Sequence, residues 1–138
     1  MLGIIVAGMV TLLLFPFESI VVPEWRLRVL NEAGSPVRGL RLSESWSDYS
    51  VESHDHSDDQ STDVDGYVTF PRRTVKANLL VRITRKAFTA MVPHQGEGHP
   101  TAYILVFGDY RAVSDEPYYV PGRPLAKQIV VGPPRASP

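Results

Sequence analysis

Ser61-Thr62-Asp63-Val64-Asp65-Gly66-Tyr67-Val68-Thr69-Phe70-Pro71 decides the fold class of this chain. Two acidic residues and a glycine set a tight turn, and the turn launches an alternating strand. Gly66 supplies the positive φ that such a turn needs, Asp63 and Asp65 can bond nearby backbone amides, and Val68 and Phe70 point to one face. Upstream, Asn31-Glu32-Ala33-Gly34-Ser35-Pro36-Val37-Arg38-Gly39-Leu40 is a second turn that enters a second alternating strand. A pair of such turns specifies a small antiparallel β-domain.

Period-two patterning extends the reading along the chain. Trp25, Leu27 and Val29 share one face of a strand over 25–31, and Leu40, Leu42 and Trp46 share one face of a strand over 38–49. Leu79, Val81 and Ile83 alternate with Leu80, Arg82 and Thr84, which predicts a third strand. Tyr103–Phe107 is apolar on both faces and suits a central strand; short strands at Phe88–Val92 and Ile129–Val131 bring the total to about seven. Prolines and glycines punctuate the windows after residue 25, so no amphipathic helix of ordinary length is predicted there. The expected fold is all-β, a seven-stranded Greek-key sandwich over 25–131, with Leu27, Val29, Leu42, Phe70, Val81, Ile83, Leu105 and Phe107 in its core. The long connections 50–62, 93–100 and 109–124 are where function is expected, and 132–138 reads as a disordered tail.

Leu2–Phe17 carries no charge; Glu18 interrupts the run, and Ile20, Val21 and Val22 follow. Its length lies between a signal-peptide core and a full span of about 20 residues. The preferred reading is an uncleaved hydrophobic helix over 2–22 that anchors residues 1–24 in a membrane; a cleaved signal, which would make the domain secreted, and a buried core segment are the alternatives. Arg26 and Arg28 sit just beyond the run and favour the cytoplasmic side.

Composition excludes several function classes. The 138 residues hold 14 basic and 15 acidic side chains, a formal net charge of -1, which exerts no global pull toward nucleic acid. The absence of cysteine removes disulfides, thiolate metal sites and cysteine nucleophiles. Hydrophobic residues at 43% suffice for a sandwich core, while 12 prolines and 10 glycines imply many turns and edges.

Leu27–Leu40 together with Thr62–Phe70 resembles the carboxypeptidase regulatory-like, transthyretin-like domain family, over about residues 25–71. The resemblance implies a prealbumin-type β-sandwich of the kind found in exported or surface-attached bacterial proteins, hence a domain outside the cytoplasm. It implies an accessory or binding module and carries over no catalytic residue. Transthyretin relatives that hydrolyse 5-hydroxyisourate end in Tyr-Arg-Gly-Ser, whereas this chain ends in Arg135-Ala136-Ser137-Pro138.

Glu52–Asp59 is the stretch that most resembles chemistry. His54 and His56 would share a face if extended, and with Asp58 they are metal candidates, although a plain polar loop is the preferred reading. A calcium loop centred on Gly66 places Ser61 at its first position and Arg72 at its twelfth, where a bidentate Glu is needed. Looser calcium loops that include Asp58 or Asp59 stay open. Acidic residues from Glu44 to Asp65 precede basic residues from Arg72 to Lys86, and the two groups are expected to neighbour and partly neutralise one another. His94 and His99 flank a flexible segment, and Trp25 and Trp46 read as core residues. Tyr110, Arg111, Tyr118, Tyr119 and Arg123 are the expected partner-binding residues.

The function expected from sequence is a membrane-anchored, non-catalytic module for binding or structural support at the cell envelope. No cofactor and no nucleic acid is expected, and the partner is an unidentified protein or envelope polymer. The competing class is a metal-dependent or transthyretin-like hydrolase built on the His54/His56 loop.

Overall fold

A computed structural model of the chain describes residues 1–49, 51–52, 54–91, 101–114 and 117–133. The elements are α1 (Leu2–Leu14), β1 (Pro16–Val22), β2 (Trp25–Asn31), β3 (Arg41–Ser47), β4 (His56–Ser61), β5 (Tyr67–Phe70), β6 (Arg73–Asn78), α2 (Leu79–Met91), β7 (Thr101–Val106), β8 (Arg111–Ala112), β9 (Tyr118–Tyr119) and β10 (Gln128–Gly132).

The two turns read from sequence have matching local chemistry. Asp63 Oδ1 accepts the N–H groups of Asp65 and Tyr67 at 2.9 and 2.8 Å, and Asn31 Oδ1 accepts those of Ala33 and Ser35 at 3.0 and 2.8 Å. Three residues after each side-chain acceptor stands a glycine at positive φ, +77° at Gly66 and +79° at Gly34. The surroundings differ. A Cβ on Gly66 would lie 2.7 Å from the carbonyl oxygen of Val29 and 2.9 Å from Pro36 Cβ, whereas one on Gly34 would meet open space. The Val29 N–H donates to the Gly66 carbonyl at 2.8 Å, so the later turn docks directly on β2.

Strands β5-β2-β10-β8 form one four-stranded sheet and β4-β3-β7-β9 a second, and β1 pairs with β6 in a two-stranded ribbon. Pairing is antiparallel except between β10 and β2, which run parallel. Inward side chains of both larger sheets join one buried cluster: Trp25, Leu27, Val29, Phe70, Ile129 and Val131 from the first, Leu42, Ala102 and Ile104 from the second. Val21, Val22 and Val75 of the ribbon join it, as do Val37, Leu40 and Val68. The Trp25 indole N–H is satisfied by the carbonyl of Ala126 at 2.8 Å, which lets so large a side chain be buried without an orphan donor. Among the described residues the molecule is therefore mostly β and sandwich-like, with ten strands rather than about seven and a hydrophobic helix at its N-terminus.

Several expectations are corrected. The helix predicted over 2–22 ends at Leu14, because Pro16 forces the preceding Phe15 into an extended conformation (φ -66°, ψ 126°). The β-branched Ile20, Val21 and Val22 then continue as strand. The strands predicted at Leu79–Thr84 and Phe88–Val92 are the single helix α2, with Val92 outside the described residues. Asn78 caps it, its Oδ1 accepting the Val81 N–H at 2.9 Å, and no glycine or proline interrupts the following 13 residues. Val81 and Ile83 are consequently exposed rather than in the core. In β7 the inward parity is that of Ala102 and Ile104, so Leu105 is only half-buried and Phe107 is exposed. The 50–62 connection contains β4, the 109–124 connection contains β8 and β9, and Gly132, expected in the tail, closes β10. The 93–100 segment and residues 134–138 lie outside the described residues.

Candidate functional site

Two places concentrate chemistry that the core does not use. The first is the polar edge where β4 meets β3 and β6. Leu40, Leu42, Glu44 and Trp46 share one parity, so the strand that buries Leu42 also buries a carboxylate. Glu44 is fully buried, and its register partner on β4 is Asp58. Two carboxylates facing each other across a ladder repel unless a cation lies between them. Arg73 of β6 is that cation: its Nε donates to Glu44 Oε2 at 2.8 Å and a terminal nitrogen donates to Asp58 Oδ2 at 2.6 Å. The Arg73 guanidinium holds Asp58 below the usual carboxylate range, whereas burial pushes Glu44 above it, and Arg73 opposes that rise. Glu44 Oε1 is buried and has no partner among the described residues. The expected meeting of the acidic and basic stretches thus occurs in part, but around a buried acid rather than between surface pairs.

Beyond Asp58 along the same parity of β4 comes His56, opposite Trp46. The indole and imidazole stack at 4.2 Å with planes 16° apart. His56 Nε2 lies 2.7 Å from Glu52 Oε1, and His54 Nε2 lies 3.6 Å from Glu52 Oε2. The structure therefore brings His54 and His56 together, as the sequence suggested, but the carboxylate they share is Glu52. Asp58 is committed to Arg73. Glu44 was detectable in sequence as an acid on an apolar parity; Glu52 had no such signal, since its role depends on the chain folding back.

The residues expected at a partner-binding face divide between two edges. Tyr110 lines a surface depression of about 600 Å³ with Asn31, Glu32, Val131 and Pro133, and Arg111 donates to the carbonyl of Pro133 at 3.3 Å. Tyr118, Tyr119 and Arg123 lie at the edge of the other sheet, where Arg123 donates to the Tyr118 hydroxyl at 2.8 Å. Tyr119 packs on the core, while Tyr118 stays exposed. His94 and His99 lie outside the described residues.

The second place is the pair of helices beside the β1–β6 ribbon. No residue of α1 is buried, and its Leu2, Ile4, Ile5, Val6, Met9, Val10, Leu12 and Leu14 are all exposed. Helix α2 touches α1 and β6. At about 100° per residue, Arg82, Arg85 and Lys86 fall in one narrow sector and the apolar side chains in the rest. A helix on a soluble domain turns its polar stripe to water. Here Arg82 instead turns inward, donating to Ser19 Oγ at 2.7 Å, and Leu80, Ile83, Phe88 and Met91 are exposed. Sequence reasoning missed this surface because it took α2 for strands. Among the described residues no helix is long and apolar enough to cross a membrane.

No family model matches this chain, and neither a curated protein nor a solved structure shows significant similarity to it.

Proposed function

We propose that this chain is a membrane-attached, non-catalytic β-sandwich module of the carboxypeptidase regulatory-like, prealbumin-like kind, acting outside the cytoplasm at the cell envelope. The observation that carries the attachment is the outward apolar surface of α1 and α2. An uncharged helix without a buried residue lies against a second helix whose basic side chain Arg82 faces its own protein. Such a surface is excluded from water by the hydrophobic effect and matches the acyl boundary of a bilayer. The 13 residues of α1 span about 20 Å, short of the roughly 30 Å hydrocarbon core, so attachment proceeds by partial insertion rather than a helical crossing. Lys86, exposed beside the apolar surface, is placed to meet anionic headgroups.

The Greek-key reading is supported by the way the chain moves between sheets: β2 to β3 crosses from one to the other, and β4 to β5 crosses back. The non-catalytic reading is supported by the polar edge, where Glu44 and Asp58 are both engaged by Arg73. The Tyr118–Arg123 edge is the face offered to a protein or polymer partner.

Flotation of the full chain with anionic liposomes tests the attachment. Co-flotation that resists carbonate is expected, with a marked loss in the Ile83→Ser, Phe88→Ser double variant at unchanged melting temperature. An intact full chain that remains a folded, soluble monomer beside the liposomes contradicts the reading. A soluble oligomer that hides the two helices contradicts it as well.

A further inference from the structure

We propose that Glu52, His54 and His56 form a binding site for a divalent cation of the zinc class, independent of the membrane surface. Described residues after β3 are tied together by hydrogen bonds. The Asp48 carbonyl accepts the N–H groups of Val51 and Glu52, each at 2.9 Å, and Val51 packs against the core. The Tyr49 hydroxyl donates to Asp55 Oδ1 at 2.7 Å across the same loop. Into this frame the two imidazoles turn their Nε2 atoms toward opposite oxygens of one carboxylate, at 2.7 and 3.6 Å. Stacking on Trp46 holds the His56 ring by its face and turns its Nε2 edge toward Glu52.

One ligand atom from each of the three residues lies within 4.8 Å of the others. A tetrahedral ion with bonds of about 2.0–2.1 Å sets its ligands about 3.4 Å apart. Small side-chain rotations therefore close the set without moving backbone. Two imidazoles and one carboxylate suit zinc or cobalt, whereas calcium and magnesium require mostly oxygen ligands. His54 is 66% exposed, so the fourth position opens to solvent and holds water. The ion would also join the 48–56 loop to the first residue of β4, at the edge strand of its sheet.

The test is titration of the full chain, in detergent micelles at about pH 7.5, with Zn²⁺ by calorimetry and Co²⁺ by visible absorption. One equivalent is expected to bind, with the intense Co²⁺ bands of a four-coordinate site. Glu52→Gln and the double variant His54→Ala, His56→Ala should each weaken binding at least about tenfold, the scale on which even outer partners of ligands act. Their metal-free circular dichroism should be unchanged. His54→Gln alone, at an exposed position, provides the same comparison if the double variant fails to fold. Absence of saturable binding overturns the proposal and leaves a histidine–glutamate hydrogen bond only. Undiminished binding in folded variants overturns it too, placing the ion elsewhere on the chain. Liposome flotation measured on the same samples keeps this result separate from that of membrane attachment.

Discussion

The sandwich and the α1–α2 surface use the same apolar residue types in opposite ways. Phe70 on β5 is 0% exposed among Trp25, Leu27 and Ile104, whereas Phe88 on α2 is 58% exposed. What differs is where the polar groups go. In the sandwich Arg26 stands on the outward parity of β2, and in α2 Arg82 turns back onto β1. Burial against self or against something else is thus decided by the polar stripe as much as by the apolar one.

The largest expected effect sharpens this contrast. Phe70→Ala should cost about 3–5 kcal/mol in urea unfolding, through lost transfer energy and a residual cavity. Phe88→Ala should stay within about 0.5 kcal/mol, as exposed substitutions do. Equal losses at the two positions would break the comparison and place Phe88 in a core.

Next comes Arg73→Ala, expected to cost about 3 kcal/mol by leaving Glu44 buried without its cation. The pH dependence separates its two partners. Asp58 has a lowered folded pKa, so its contribution is present above the ordinary value of 3.8 and is lost as pH falls through the lower folded value. Glu44 has a raised folded pKa, so its contribution is complete below the ordinary value of 4.5 and declines as pH rises from there through the folded value. Stability of the wild-type chain relative to Glu44→Gln should therefore fall as pH rises above 4.5, and relative to Asp58→Asn it should fall as pH drops below 3.8. A flat difference for both variants across the acid range would remove the Arg73 network from the account.

The smallest effects compare the two turns. Gly34→Ala meets only the left-handed backbone penalty, about 1–2 kcal/mol. Gly66→Ala meets that penalty plus the Val29 carbonyl at 2.7 Å, and should melt at a lower temperature than Gly34→Ala. The reverse order would mean that the later turn does not dock on β2.

Both turns were legible because an Asx side chain and a glycine act within five residues, and nothing distant is needed to satisfy them. Leu27, Val29, Leu42 and Phe70 were legible for a similar reason, since polar neighbours mark which parity faces outward. Leu79–Ile83 was not: with Leu80 apolar as well, a short alternation cannot be told from a helical face. The Asn78 cap was the overlooked local cue. In Tyr103–Phe107 both parities are apolar, and only packing chose Ala102 and Ile104 for the interior.

The sequence by itself determined the two turns and the strand character of 25–31 and 67–70, because each follows from bonds and sterics between near neighbours. The tertiary structure alone decided that Arg73 would answer Glu44 and Asp58, that Glu52 rather than Asp58 would join His54 and His56, and that α2 would face outward. These outcomes depend on which strands come together when the sheets close, and a pairing across 15 or 29 residues leaves no periodic trace in the chain.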